Sequence, residues 1–287
     1  NTQQFTAENG AQVSSDTLGE GDAGDLILTA TQLVRLLNTS KAGNIASGLF
    51  AQVNEDESGN VGSGDAGTLR LNTNQLEIIG GAQISTAARG EGQGGTLIIT
   101  VADSILVSGT SVLEDFRSSS NIIASAEPGA TSNGGQSRIT ADRLTVENGG
   151  RISADNFGSG KGSTATINIR QMLFRDGGRV GAGSLVGDEE DGVNASELGP
   201  GGTLTINASE RIEVSGSRIL NSELVNSQLF TRAEGSGAAG NLIINATQDS
   251  DLIILVRDGA EISANTEQST GGNIIVNNSF VILLRTG

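Results

Sequence analysis

The most regular feature of the chain is a short phrase in which apolar and polar side chains alternate. It consists of Gly, any residue, Leu or Ile, any residue, another aliphatic residue, and then Asn or Thr. A period of two predicts a β-strand with one buried face. The phrase occurs eight times, twice in degraded form, as GDLILT ending at Thr29, GTLRLN at Asn72, GTLIIT at Thr100, GQSRIT at Thr140, STATIN at Asn168, GTLTIN at Asn207, GNLIIN at Asn245 and GNIIVN at Asn277. Its return at long intervals predicts a solenoid built from one repeated unit.

Two further strand-like segments follow each phrase. A second apolar run comes first, for example at residues 76–79, and a third short segment follows a turn, for example at residues 82–85. Three strands in each unit predict a triangular coil. The predicted fold is therefore all-β: a single-stranded parallel β-helix with about three strands per coil and about eight coils, continuous as one domain over residues 1–287.

The spacing of the units is uneven, and the extra residues are polar. Gly67 and Gly95 are 28 residues apart and Gly135 and Gly162 are 27 apart, which defines the minimal coil. Longer coils carry insertions at residues 38–47, 110–121 and 217–227, between the second and third strands, or at residues 54–66 and 185–200, after the third strand. A solenoid tolerates insertions at its corners, because loops project outward while the stacked strands keep their register.

Equivalent places of the phrase predict columns of stacked side chains. Each buried aliphatic is worth roughly 1.5–3 kcal/mol relative to exposure. Asn and Thr at the sixth place predict a hydrogen-bonded ladder, as identical side chains form when they stack in register. The third place holds Leu69, Leu97, Leu204, Leu242 and Ile274, and the fifth holds Leu71, Ile99, Ile139, Ile167, Ile206, Ile244 and Val276.

Composition narrows the classes of function. The chain has 33 Asp and Glu against 17 Lys and Arg, a formal net charge of -16, which repels phosphate backbones and argues against a nucleic-acid partner. Cys is absent, so disulfides and thiolate chemistry are excluded. No run of about 18 apolar residues is present, so we expect no membrane insertion. The chain begins inside one repeat and ends inside another, so we expect it to be part of a longer polypeptide whose leader lies upstream.

Enzymatic activity is not expected. Neither His nor Tyr occurs, which removes the commonest general base and the phenolic acid. A glycosidase requires two carboxylates across a groove, and the pairs Glu213 with Asp258 and Glu77 with Asp103 are candidates. In so acidic a chain, such residues are more typical of a solvated surface. We therefore predict no catalytic residue and no organic cofactor.

Calcium is the one metal for which the sequence offers candidate ligands. GEGDAGD at residues 19–25 and GSGDAGT at residues 62–68 resemble the Gly-Asp-rich nonapeptide of calcium-binding β-rolls. The nonapeptide is never repeated in tandem, so successive turns cannot complete one another's ligand sets, and plain solvated loops are the favoured interpretation. The candidate ligands are Asp22, Asp65, Asp188, Glu189, Glu190 and Asp191.

Two surface roles follow from side chains outside the buried columns. Phe50 and Phe230 take matching places in GLFAQV and QLFTRA, as a carbohydrate-stacking platform or, preferably, as capping or core-filling residues. A flat ice-binding face is disfavoured, because the outward fourth place of the phrase is mixed. That place holds Ile27, Arg70, Ile98, Arg138, Thr166, Thr205, Ile243 and Ile275.

Several long segments together resemble a known family. They are GGAQISTAARGEGQGGTLIITVADSILVSGTS, VENGGRISADNFGSGKG, GGTLTINASERIEVSGS, LFTRAEGSGAAGNLIINAT and LVRDGAEISANTEQSTGGNIIVN. Their joint order is G-A-x-I-S-A, then G-G-x-L-x-I-N, then an apolar strand and R-D-G or V-S-G. In this order, over nearly the whole chain, they resemble the repeat region of filamentous-haemagglutinin-like large exoproteins, particularly the cyanobacterial type.

The resemblance implies a right-handed β-helix, exported by two-partner secretion through an outer-membrane transporter and located extracellularly or at the cell surface. The family's amino-terminal secretion domain is not visible in this sequence, so export is carried over from the resemblance. The expected function is a rigid stalk and contact surface for copies of itself, other surface proteins or glycans. The alternatives are a self-assembling fibre or sheet subunit that stacks end to end and, as a minor one, a carbohydrate-active β-helix enzyme.

Overall fold

The computed structural model describes the chain except for residues 43, 55–61, 112–117, 128–129, 132, 186–197, 221–222, 248–250, 278 and 285–287, and it describes residues 279–284 by their backbone alone. Every regular element in this part of the chain is a β-strand. In chain order the strands are β1 (Thr2–Glu8), β2 (Gln12–Ser14), β3 (Leu26–Leu37), β4 (Gly48–Phe50), β5 (Thr68–Ile79), β6 (Gln83–Ser85), β7 (Thr96–Ser108), β8 (Asn121–Ile123), β9 (Gln136–Glu147), β10 (Arg151–Ser153), β11 (Thr164–Arg175), β12 (Arg179–Gly181), β13 (Thr203–Ser215), β14 (Ser217–Leu220), β15 (Glu223–Asn226), β16 (Gln228–Ala233), β17 (Leu242–Ala246), β18 (Leu252–Arg257), β19 (Glu261–Thr266), β20 (Ile274–Asn277) and β21 (Ser279–Leu284).

The strands form two large parallel sheets. The long-strand sheet has the order β1-β3-β5-β7-β9-β11-β13-β17-β20, with β18 and β21 continuing its last two levels. The short-strand sheet has the order β2-β4-β6-β8-β10-β12-β16-β19. Strands that neighbour each other in a sheet come from successive coils and pair in parallel, as in β5 with β7 and β6 with β8. The predicted all-β parallel β-helix is confirmed.

In the coils of β3, β5, β7, β9, β11 and β13, the first two predicted strands are joined into one long strand, whereas the last two coils keep them separate as β17 and β18 and as β20 and β21. In β5 the inward side chains are Leu69, Leu71, Thr73, Leu76 and Ile78. Between Thr73 and Leu76 the two consecutive residues Asn74 and Gln75 are both exposed, which shifts the alternation by one position. The pairing with β7 is irregular at the same place. A corner of the coil therefore lies inside a continuous strand, where the sequence predicts a break.

The columns of aliphatic side chains are confirmed. The fifth-place column runs in register through Leu28, Leu71, Ile99, Ile139, Ile167, Ile206, Ile244 and Val276. Apart from Ile274 and Val276, the aliphatic side chains of the third and fifth places belong to, or pack against, one hydrophobic cluster that extends from Ala7 to Val256. On β20, Ile274 and Val276 are exposed, because no strand of the described chain stacks on their far side. The core lies between the two sheets along the whole stack.

The corner between the long and the short strand is a tight turn. Two consecutive residues with positive φ occur at Asn9-Gly10, Gly80-Gly81, Asn148-Gly149, Asp176-Gly177 and Asp258-Gly259. Asn-Gly and Asp-Gly with positive φ at both positions are the signature of a type I′ turn. In the three coils with an insertion, a single residue of this kind precedes the insertion, namely Asn38, Gly109 or Gly216. Turn chemistry thus distinguishes corners without an insertion from corners with one.

The three insertions at this corner fold back on the preceding coil. Each has antiparallel pairing, between Thr39 and Ala46, between Thr110 and Ser119, or between β14 and β15. A fully buried serine ends each insertion, and its Oγ accepts a hydrogen bond from a glycine N–H of the preceding coil. The pairs are Ser47 with Gly10 at 2.8 Å, Ser120 with Gly81 at 3.0 Å and Ser227 with Gly177 at 3.1 Å. These loops therefore stabilise the stack in addition to projecting from it.

The glycine that opens the repeated phrase is explained by backbone contact between coils. A methyl carbon added at Gly67 would lie 2.2 Å from the carbonyl oxygen of Gly24, and one at Gly240 would lie 1.5 Å from that of Gly202. Both distances are far below van der Waals contact with backbone atoms that cannot move independently of the stack. A side chain at these positions would force successive coils apart.

Candidate binding surfaces on the two sheets

The sixth place of the phrase forms the predicted amide ladder. Asn207 Nδ2 donates to Asn168 Oδ1 at 2.8 Å, Asn245 Nδ2 donates to Asn207 Oδ1 at 2.9 Å, and Asn277 Nδ2 donates to Asn245 Oδ1 at 2.8 Å. Toward the N-terminus, Asn168 Nδ2 donates to the Thr140 hydroxyl at 3.4 Å. The amides satisfy one another along the axis, so this row holds the coils in register.

Most arginines on the outer face of the long-strand sheet form ion pairs with carboxylates. Arg170 lies between two carboxylates, with its Nε 2.6 Å from Asp142 Oδ1 and its Nη1 2.5 Å from Glu210 Oε2. Hydrogen bonds from Arg170 lower the pKa of Asp142 and, together with one from Gln171, that of Glu210. The same two carboxylates raise the pKa of Arg170. Each of these pairs joins neighbouring coils, as does Arg175 with Glu147 at 2.6 Å.

The first candidate glycosidase pair shares an arginine. Arg257 contacts Asp258 and also lies 2.8 Å from Glu213, which Arg211 contacts at 2.6 Å. Burial acts to raise the pKa of Glu213, but hydrogen bonds from Arg257 and Arg211 hold it below its ordinary value. A general acid of a glycosidase requires the opposite shift. The geometry therefore assigns Glu213 a pairing role between coils.

The second candidate pair is divided between two ion pairs. Glu77 lies 2.7 Å from Arg35 Nε of the preceding coil. Asp103 contacts Arg143 of the following coil and accepts a hydrogen bond from Gln75 at 3.0 Å. Both carboxylates are engaged with neighbouring coils and lie on the outer face of the long-strand sheet. Their positions match the solvated surface role that the acidic composition favours.

Two of the candidate calcium ligands have a structural role in the corner before the long strand. Asp22 Oδ1 accepts the backbone N–H of Asp65 at 2.9 Å, and Asp65 Oδ1 accepts the backbone N–H of Gln93 at 2.8 Å. Each carboxylate thus binds the next coil. Asp188, Glu189, Glu190 and Asp191 lie outside the described residues. Within the described ranges, no group of three or more acidic side chains is arranged to hold a metal ion.

Both phenylalanines of the matching places lie on the outer side of the short-strand sheet. Phe230 packs over Gly181, where an added methyl carbon would lie 2.3 Å from its ring, and Phe50 packs over Gly48 in the same way at 2.8 Å. The rings are 7% and 4% exposed and are not part of the cluster between the sheets. Both side chains are therefore buried outside the cluster between the sheets, and neither ring offers an open face for stacking on a sugar.

A cleft of about 360 Å³ lies over the C-terminal part of this outer face. Short strands point their middle residue inward, so their first and third residues form its floor. In register, the first residues of β8, β10, β12, β16 and β19 are Asn121, Arg151, Arg179, Gln228 and Glu261. Arg232, Glu234, Ser263 and Asn265 complete the polar lining. Along the row of first residues, the charge changes from cationic at Arg151 and Arg179 to acidic at Glu261, and the pair of Arg232 and Glu234 lies beside this row.

The cationic side chains of the cleft differ in their partners. Arg151 contacts the fully buried carboxylate of Asp155, which also accepts the N–H of Gly183 at 2.7 Å. Arg232 lies 2.8 Å from both Glu234 and Glu267. Arg179, by contrast, makes no side-chain hydrogen bond to any described residue, and its Nε is buried without a partner.

The electrostatic environment of Arg179 is correspondingly unfavourable. Burial and the neighbouring charge of Arg151 lower the pKa of Arg179 to about 10, with Asp155 offsetting only part of the effect. The side chain stays charged at neutral pH, so the folded chain retains a largely desolvated cation. Sequence reasoning missed this site, because one arginine at the start of a three-residue strand gives no periodic signal.

Comparison of the chain with protein-family models, curated proteins and solved structures finds no match. The resemblance to filamentous-haemagglutinin-like exoproteins therefore stays a prediction based on the sequence segments. Among the described residues, no helix is long and apolar enough to cross a membrane.

Proposed function

We propose that the chain is a non-enzymatic structural and adhesive module of a secreted bacterial surface exoprotein, acting as a rigid stalk and contact surface. The observation that carries the proposal is the continuous parallel register of the long-strand sheet from β1 to β20. Nine levels at about 4.8 Å give a stack about 38 Å long. Stacked columns, the amide ladder and ion pairs between coils all oppose bending, which is what a stalk requires.

The adhesive half of the proposal is supported by side chains that the stack does not use. Hairpin β14–β15 folds over earlier coils, with Arg218 Nη1 donating to the carbonyl of Asn148 at 3.2 Å. Its outer side presents the cross-strand pair Ile219 and Leu224, which are 71% and 69% exposed. A paired apolar surface on an anchored hairpin is suited to contact with another molecule.

Two measurements test this proposal. Electron microscopy of the purified chain is expected to show isolated rods about 38 Å long. Beads coated with the chain are expected to be retained on bacterial cells, and beads coated with the Ile219→Ser/Leu224→Ser variant to be retained less. Retention equal to that of uncoated beads would contradict the adhesive role, and compact round particles would contradict the stalk.

The second candidate function is a self-assembling subunit that stacks end to end. It is favoured by β20, which pairs on one side only within the described residues and exposes Ile274, Ile275 and Val276. An open strand with apolar side chains is a template for further pairing. Long filaments in the same micrographs, abolished by Ile275→Lys, would replace the stalk with this alternative.

A further inference from the structure

The cleft over β10, β12, β16 and β19 holds a guanidinium, that of Arg179, which contacts no carboxylate of the described residues. Elsewhere in the described chain, most arginines of the long-strand face contact carboxylates, as Arg170 and Arg257 do. Arg179 is the exception among largely buried arginines, and its nearest charged register partner is another cation, Arg151. A desolvated charge without a partner destabilises a folded chain, and such sites are where function commonly opposes stability.

The first residues of the short strands change in charge along the cleft. Arg179 and Arg151 lie at one end, and Gln228 separates them from Glu261, which is two strands away from Arg179 in register. Two strand spacings correspond to about 9–10 Å. Glu261 accepts a hydrogen bond from Gln228 Nε2 at 3.3 Å and one from Asn265 Nδ2 at 3.3 Å, which leaves further acceptor capacity on its oxygens.

We propose that this cleft binds the uronic-acid residue of an acidic oligosaccharide. The planar guanidinium of Arg179 receives the carboxylate, because a fork of two N–H groups matches two carboxylate oxygens. On β19, Glu261 accepts hydrogen bonds from sugar hydroxyls, and Asn265 donates hydrogen bonds to them. The ligand carboxylate neutralises the desolvated guanidinium of Arg179. The sugar hydroxyls form hydrogen bonds with polar side chains that an apolar ligand would leave without partners.

The charges of the cleft favour this ligand over two others. Arg151 and Arg232 already contact carboxylates, so the cleft has one cation available, which suits a monoanion better than a phosphate dianion. An acidic peptide supplies carboxylates at every residue and would place one beside Glu261. A saccharide places neutral hydroxyls there instead. The cavity volume lies within the range of small-molecule sites.

Titration calorimetry of the 287-residue chain with tri-galacturonate tests the proposal. We expect saturable binding, and we expect Arg179→Gln to weaken it about ten- to hundredfold, the range of a lost charge-assisted hydrogen bond pair. Arg179→Lys keeps the charge but loses the fork and should weaken binding to an intermediate extent. Arg70→Gln removes the same charge on the outer face of the long-strand sheet and should leave the affinity within about twofold.

Three further probes identify the ligand class. Neutral galactotriose is expected to bind at least about tenfold more weakly, because it lacks the carboxylate. Tri-glutamate binding as tightly as tri-galacturonate would overturn the proposal in favour of an acidic peptide, and sulfate binding equally well would reduce the cleft to a general anion site. No binding of tri-galacturonate, or an equal loss in Arg70→Gln, would also overturn it. The proposal depends on the side chains of this cleft and not on the stalk or adhesive roles, so it would survive the failure of either role.

Discussion

Arg170 and Arg179, on the outer faces of the two sheets, have opposite electrostatic surroundings. On the long-strand sheet, Arg170 lies between Asp142 and Glu210 and joins three successive coils. On the short-strand sheet, Arg179 stacks beside Arg151 and has no carboxylate of its own among the described residues. Both side chains point outward from the same stack. The difference therefore cannot come from the requirements of the core.

This difference distinguishes residues that stabilise the stack of coils from residues that do not. Inward columns and ion pairs between coils lower the energy of the stack. A buried cation without a partner raises it. Because folding does not select for Arg179, its place in a cleft favours a role in binding. On the long-strand face most arginines contact carboxylates, and the exposed Arg70 is not desolvated, so that face offers less gain to a charged ligand.

The largest expected effect concerns the core that both faces share. Ile206→Ala removes a fully buried side chain from the fifth-place column and should lower the free energy of unfolding by about 2–5 kcal/mol. Ile27→Ala is the matched control, because Ile27 lies on the outward side of the same sheet and is mostly exposed. Urea denaturation followed by circular dichroism measures both. Equal losses would contradict the assignment of inward and outward columns.

How much the sequence predicts depends on whether a residue recurs with the repeat. Leu71, Ile206 and Asn207 occupy fixed places in a phrase with a period of two, so their columns and ladder follow from alternation alone. The joining of two predicted strands does not, because Asn74 and Gln75 resemble turn residues. They form instead a corner at which backbone pairing continues on both sides.

Features outside the phrase were not predictable in this way. Three serines accept the same hydrogen bond from a glycine N–H of the preceding coil, but insertions of different length place them at no constant distance from the repeated phrase. They are Ser47, Ser120 and Ser227. Arg179 takes the same place as Asn121 and Gln228, and nothing local shows that it lacks a partner. That property depends on which side chains neighbouring coils bring to the cleft. The stack is thus specified locally, and the candidate site only by the assembled surface.

The second prediction reverses the usual sign of a charge deletion. Arg179→Gln removes a desolvated cation and should raise the free energy of unfolding by about 1–3 kcal/mol at neutral pH. Arg70→Gln, on an exposed position, should change stability little. A loss in Arg179→Gln comparable to the loss of an ion pair would mean that Arg179 is neutralised in the folded chain, and the contrast between the two faces would disappear.

The increase in the free energy of unfolding expected for Arg179→Gln should depend on pH, because of the pKa of Arg179. Its value of about 10 in the folded chain lies below the ordinary arginine pKa, so between these two values the unfolded chain binds more protons. The penalty is fully present below the folded pKa and is relieved as pH rises through it. The advantage of Arg179→Gln should therefore be constant from about pH 7 to 9 and shrink above about pH 10. A constant difference at all pH values would contradict this cause.

The third prediction concerns the amide ladder. Asn207→Ala leaves Asn168 Oδ1 and Asn245 Nδ2 without their partners and should cost about 1–2 kcal/mol. Asn207→Thr restores part of the loss, because Thr140 already accepts from Asn168 at the equivalent place. Asn74→Ala, at an exposed position of the same sheet, serves as the control. Equal unfolding midpoints for Asn207→Ala and Asn74→Ala would remove the ladder from the list of stabilising features.

The smallest expected effect is that of Arg170→Gln, and it completes the contrast. The ion pairs of Arg170 are partly exposed, so their loss should lower the urea midpoint by less than Asn207→Ala does. High salt should remove most of the difference, because the screening length falls to about 3 Å at 1 M ionic strength.

The pKa values of Asp142 and Glu210 are lowered in the folded chain, so their contribution is present above the ordinary carboxyl pKa and is lost as pH falls through the folded values. Arg170→Gln should thus approach the parent chain in acid, whereas Arg179→Gln approaches it in alkali. The two Arg→Gln substitutions should thus change the free energy of unfolding in opposite directions, and the changes should disappear at opposite ends of the pH range. A general effect of removing arginine predicts the same direction for both, so this result would demonstrate that the two sites differ in charge balance.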